Sequence, residues 1–149
     1  MATISPMDVL RDLAQQKLDD TTSHLGKVQQ DYSRAVTQLE QLEAYELEYQ
    51  QALQSNMANK GISVVDWVNH QSFIDSLGKV VFQHTGHVTQ CKKSVDLALS
   101  SWRSDKQRLN SFDTLKSRAE EVRALKENRQ EQKLMDEFAQ RASLGKKVL

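Results

Sequence analysis

The 149-residue sequence predicts an all-α fold: two long helices forming an antiparallel coiled-coil hairpin, the second longer and carrying a C-terminal overhang. Three observations predict it. Apolar residues recur at alternating steps of three and four through two long stretches, the spacing that keeps one stripe facing a partner helix. One proline and five glycines leave few places to turn. The charges are also split, with 5 Lys/Arg against 9 Asp/Glu in residues 1–60 and 15 against 11 in residues 61–149. Two oppositely biased arms attract when folded back, although the whole chain is neutral.

Helix 1 is expected over about 6–57. Ser5-Pro6-Met7-Asp8 places a hydroxyl at the N-cap, proline at N1 and a carboxylate at N3. A heptad seam follows through Leu18, Thr21, Leu25, Val28, Tyr32, Ala35, Leu39 and Leu42. At Glu46 the apolar spacing passes to Tyr45, Tyr49 and Leu53, which reads as a stutter.

Asn56-Met57-Ala58-Asn59-Lys60-Gly61 predicts the break, with a turn over about 58–62, since Asn and Gly adopt the left-handed conformation that ends helices. Ser63-Val64-Val65-Asp66 resembles a second capping box. Helix 2 is expected over about 63–143. Its seam reads Trp67, Ile74, Leu77, Val81, His84, Val88, Cys91, Val95, Ala98, Trp102, Leu109 and Phe112. Gly78 and Gly86 fall inside it; they either let the helices approach closely or are tolerated defects, each costing about 1 kcal/mol against alanine. A turn centred near residue 60 sets Leu39 near Val81, Tyr32 near Val88, Leu25 near Val95 and Leu18 near Trp102. Seam then meets seam along a single elongated domain, 1–149.

The arms are unequal, about 50 residues against about 80, or roughly 75 Å against 120 Å. Past Phe112 helix 2 runs out of partner, so the tail from about 113 is expected to fray when alone. Residues 126–133 contain nothing apolar, and beyond them Leu134, Met135 and Phe138 form a short apolar face suited to docking.

Composition excludes several functions. At 38% apolar and 6% aromatic residues and a mean hydropathy of -0.64, a narrow seam is expected rather than a large core. The sequence carries no phosphate-cradling glycine loop, Cys-x-x-Cys pair or nucleophile elbow, so neither an enzyme nor a cofactor is expected. His84, His87 and Cys91 share a helical spacing that a metal could use. Against that, His84 and Cys91 already occupy seam positions and a fourth ligand is missing. The run Arg103, Lys106, Arg108, Lys116, Arg118 and Arg123 is interleaved with Asp105, Asp113, Glu120 and Glu121, a solvated face rather than a nucleic-acid site. No apolar run approaches the roughly 20 residues of a membrane span. The first residues lack the basic and apolar regions of a leader, and the lone Cys91 rules out an internal disulfide. A cytoplasmic chain, monomeric on its own, is expected.

Apolar residues off the seam point to partners. Phe73, Leu77, Val80 and His84 trace a stripe sharing only its Leu77 and His84 edges with the seam. On helix 1, Gln38, Leu42, Tyr45 and Tyr49 do likewise. The two stripes form an expected patch near the closed end of the hairpin, of the kind that marks interaction sites.

Several runs occur in order: Tyr45-Glu46-Leu47-Glu48-Tyr49, Trp67-Val68-Asn69-His70-Gln71-Ser72-Phe73-Ile74, Val95-Asp96-Leu97-Ala98-Leu99-Ser100-Ser101-Trp102-Arg103, Lys106-Gln107-Arg108-Leu109, Glu127-Asn128-Arg129, and Met135-Asp136-Glu137-Phe138-Ala139-Gln140-Arg141-Ala142. Together they closely resemble the FliJ family of flagellar export proteins in its enteric form. The resemblance implies a soluble part of the type III export apparatus, peripherally associated with the inner membrane. Such a protein enters a hexameric export ATPase ring as a rotary-ATPase central stalk does and promotes its assembly and activity. It also contacts the cytoplasmic part of the export-gate membrane protein and binds flagellar export chaperones. The gate-binding face implied is Phe73, Leu77, Val80 and His84, with Gln38, Leu42, Tyr45 and Tyr49 adjacent. Val80 stands where the enteric pattern has alanine, and Lys60 resembles a one-residue insertion. An export escort, the stalk protein of a virulence injectisome and a parallel dimeric spacer remain alternatives from the patterning alone.

Overall fold

The computed structural model describes the backbone of residues 5–148 and the side chains of residues 5–145. It contains two helices, α1 (Pro6–Asn59) and α2 (Val64–Val148), packed antiparallel. Both starts are capped as the sequence dictates. Met7 N donates to Ser5 Oγ at 3.2 Å, and Asp66 N donates to Ser63 Oγ at 3.1 Å, satisfying amides that lack an intrahelical acceptor. At the end of α1, Lys60 N donates to Asn56 O at 3.0 Å, and Gly61 at φ 66° reverses the chain. Glycine adopts that conformation without the steric cost of a Cβ.

The chain divides into two compact units, Leu18–Ser104 and a second made of Met1–Lys17 with Asp105–Leu149. In the first, α1 and α2 bury a strict heptad seam. Leu18, Ala35, Leu53, Leu77 and Ala98 are buried. Leu25, Tyr32, Leu39, Val81, Val88, Val95 and Trp102 are half-buried in the same stripe, as two helices alone can cover only part of each large side chain. In the second unit Ala14, Leu109 and Asp105 are buried. Among the described residues, ion pairs link its helices at Asp8–Lys116 (3.4 Å), Arg11–Asp113 (2.7 Å) and Lys17–Asp105 (3.9 Å). Hydrogen bonding and the charge of Asp113 raise the Arg11 pKa, so the guanidinium stays charged.

The structure corrects four details. α1 does not stutter: the steps of three and four continue through Leu42, Glu46, Tyr49 and Leu53, leaving Glu46 half-buried in the seam and Tyr45 exposed. Trp67 is exposed, and the α2 seam instead begins at the half-buried His70. The turn is later than expected, with α1 running to Asn59 and α2 from Val64, so the register moves too. Gln38 meets His84, numbers adding to 122, and Thr22 meets Trp102, adding to 124, where a turn centred at residue 60 requires 120. Finally, α2 remains helical to Val148, beyond the boundary expected near 143.

Gly78 and Gly86 are not close-approach devices, for a Cβ added at either meets nothing within 4 Å. Gly86 also points to solvent. Gly86→Ala is therefore expected to stabilise the hairpin by about 0.5–1 kcal/mol, read as a higher midpoint in thermal denaturation followed by circular dichroism.

Candidate functional site

In the Leu18–Ser104 unit, heptad geometry leaves a line of residues on each helix just beside the seam. In an antiparallel pair the corresponding lines of both helices fall on the same side. Tyr45 and Gln38 occupy that line on α1, and Phe73 and Val80 on α2. Contacts across the pair confirm the juxtaposition. The Tyr49 and Phe73 rings lie 4.7 Å apart at 50°, and His84 Nε2 lies 3.4 Å from the Gln38 Oε1 acceptor. The Tyr49 hydroxyl also shares a hydrogen bond with His70 Nδ1, which anchors the ring packed against Phe73.

The eight residues of the two stripes do come together, with different exposures. Tyr45, Phe73 and Val80 are exposed apolar groups, and Gln38 is exposed. Leu42, Tyr49 and His84 are half-buried. Leu77, at 8% exposure, is core and not surface. The outer face therefore centres on Tyr45, Phe73 and Val80, and Leu77 belongs to the seam beside it.

In the other unit, every described side chain from residue 113 to 145 is exposed. Leu134, Met135 and Phe138 share one short face there, with Phe138 at 75% exposure. Leu115, Val122 and Leu125 are further apolar groups on the same helix without cover.

Sequence reasoning missed two surfaces of the Leu18–Ser104 unit. Around the turn, Met57, Ile62, Val64 and Trp67 line an apolar pocket; placing Trp67 in the seam hid it. Phe82, at 80% exposure, lines a groove with Glu46, Ile74 and Gly78. Its signal was available, since Phe82 lies off the heptad.

The histidine–cysteine spacing produces weak contacts only. His87 Nε2 lies 3.7 Å from Cys91 Sγ, and the His84 and His87 rings are 6.0 Å apart. Among the described residues no group of three His, Cys, Asp or Glu is placed to hold a metal ion, and no helix is long and apolar enough to cross a membrane.

A family model described as flagellar FliJ protein matches residues 3–147. The flagellar FliJ protein of Salmonella typhi is 43% identical over 146 residues, covering 98% of this chain and 99% of that one. The chain belongs to the flagellar FliJ family. The flagellar FliJ protein of Escherichia coli (strain K12) is 41% identical with the same coverage. FliJ membership makes the chain a component of flagellar protein export. The match extends over both helices of the FliJ fold, so the aromatic-faced seam unit and the uncovered stretch of α2 both lie inside the matched span.

Proposed function

We propose that this FliJ-family chain is a cytoplasmic factor of the flagellar type III export apparatus, associated peripherally with its inner-membrane part. It binds the hexameric export ATPase as a rotary-ATPase central stalk does, promotes ring assembly and hydrolysis, and couples the ring to the export gate. It also binds export chaperones. The observation that carries this reading is the uncovered face of Leu134, Met135 and Phe138 on a helix with no partner of its own there. Large exposed apolar groups on a small protein are characteristic of docking surfaces. The Tyr45–Phe73–Val80 face supports a second partner, the cytoplasmic part of the gate protein, because aromatic side chains are favoured anchors in interfaces. The seam is covered by the chain's own second helix, which favours a monomer in solution.

Adding the purified chain to its cognate export ATPase is expected to raise both hexamer formation and the hydrolysis rate, followed by sedimentation and phosphate release. Unchanged assembly and rate at saturating chain would overturn the stalk reading.

A further inference from the structure

On the side of the seam away from Phe73 and Val80, a second groove crosses the Leu18–Ser104 unit. It is lined by Glu46 of α1 and by Ile74, Asp75, Gly78, Lys79, Phe82 and Gln83 of α2. Three features of it are unusual for a coiled-coil flank. The first is Glu46, a carboxylate in a position that the heptad reserves for an apolar group. Its Oε2 is buried and accepts no hydrogen bond, and a buried acceptor without a donor is costly. The second is Gly78, which lines the groove without a side chain and where a Cβ would meet nothing within 4 Å. The third is Phe82, an aromatic ring almost wholly exposed at the groove's edge.

The charges define what fits. Among the described residues neither Glu46 nor Asp75 takes part in an ion pair, and Lys79 is the groove's single cationic side chain. Two carboxylates, an apolar floor of Ile74 and an exposed ring together suit one kind of group. A guanidinium is planar, forks onto carboxylate oxygens and stacks on aromatic faces, whereas an ammonium is compact and strongly hydrated. The terminal torsion of glutamate is soft, so the Glu46 carboxylate can turn its unpartnered oxygen toward an arriving donor without moving the backbone.

We propose that this groove is a docking site for an arginine side chain presented by a partner protein, with Glu46 as its carboxylate, Phe82 as its stacking face and Gly78 as the gap through which it enters. The site is separate from the Tyr45–Phe73–Val80 face and does not depend on the stalk or gate reading. A partner seated here approaches the hairpin from the other side, so both faces can be occupied together.

The test uses the full chain, isotope-labelled, and N-acetyl-arginine amide as probe. Its neutral isostere N-acetyl-citrulline amide and N-acetyl-lysine amide serve as controls, all at fixed ionic strength. The expected result is a saturable set of NMR shifts confined to Glu46, Ile74, Gly78 and the Phe82 ring with the arginine probe. Apparent affinity should be about tenfold weaker with the citrulline and lysine probes, since both lose the charged fork. Glu46→Gln, which keeps size and shape, should abolish the response while circular dichroism shows the same helicity. Phe82→Ala should weaken it with the fold retained. Equal shifts with citrulline, equal shifts with lysine, shifts scattered over all acidic surfaces, no response to the arginine probe, or an undiminished response in Glu46→Gln would each overturn the proposal. None of these outcomes touches the ATPase measurement, so failure here is distinguishable from failure of the export reading.

Discussion

Leu77→Ala is expected to destabilise the hairpin by about 2–4 kcal/mol, the usual cost of removing a buried leucine side chain. Leu77 is 8% exposed and sits in the α2 seam, where the buried residues are few: Leu18, Ala35, Leu53, Leu77 and Ala98 in that unit. A seam this narrow has little in reserve, and domains of this size are held by only about 5–15 kcal/mol in total. Phe73→Ala, four residues away, should behave differently. Its ring is 42% exposed and rests on Tyr49 at 4.7 Å, so losing it costs about 1 kcal/mol of aromatic contact. Urea denaturation of both variants measures the contrast. Equal losses would mean that Leu77 is not core. The distinction bears on gate binding, because a double Phe73/Leu77 variant mixes a surface effect with a folding defect. Phe73→Ala alone, or with Tyr45→Ala, is the clean probe of that face.

Replacing Leu134, Met135 and Phe138 together by serine should leave the melting midpoint unchanged and reduce binding to the export ATPase by about 100-fold or more. All three side chains are largely exposed and cover none of the seam, so the fold loses no apolar contact from their removal. In a docked complex each becomes buried, and each contributes about 1.5 kcal/mol of apolar burial, roughly tenfold in affinity. Anchors of this kind are not additive, which sets the expected loss nearer two decades than three. Titration calorimetry against the ATPase reads the affinity, and circular dichroism reads the fold. An affinity within threefold of the parent, an estimate of ordinary surface-substitution scatter, would remove this face from the interface.

The same contrast between seam and surface explains what was legible in the residues. The caps at Ser5 and Ser63 and the turn glycine at Gly61 were, because each acts within a few bonds of itself. So were Leu18, Leu25, Tyr32, Leu39, Val81, Val88, Val95 and Trp102, which all fall on the seam. Three of the polar seam members were not. Glu46, His70 and Asp105 occupy heptad positions that an apolar pattern skips, and reading around Glu46 produced a stutter that the helix does not have. Each was placed by its apolar neighbours rather than by its own character. His70 shares a hydrogen bond with Tyr49 and Asp105 forms an ion pair with Lys17, whereas Glu46 Oε2 gains nothing within the fold.

The candidate surfaces divide in the same way. That Phe73, Val80, Gln38 and Tyr45 lie beside the seam follows from heptad arithmetic along each helix. That they share one side, and that Leu77 is buried rather than part of that face, required the pairing itself.

What the sequence determined by itself was therefore the local part: two helices, their caps, the break between them and the stripe each must bury, along with membership of the flagellar FliJ family. Periodicity and capping are set by covalent spacing, and they survive whatever the partner helix does. The tertiary structure decided the register between the helices, the admission of a carboxylate to the seam, and which apolar groups face water. Those depend on where the turn lets the second helix begin. A shift of a few residues there changes every facing pair while leaving each helix, taken alone, the same.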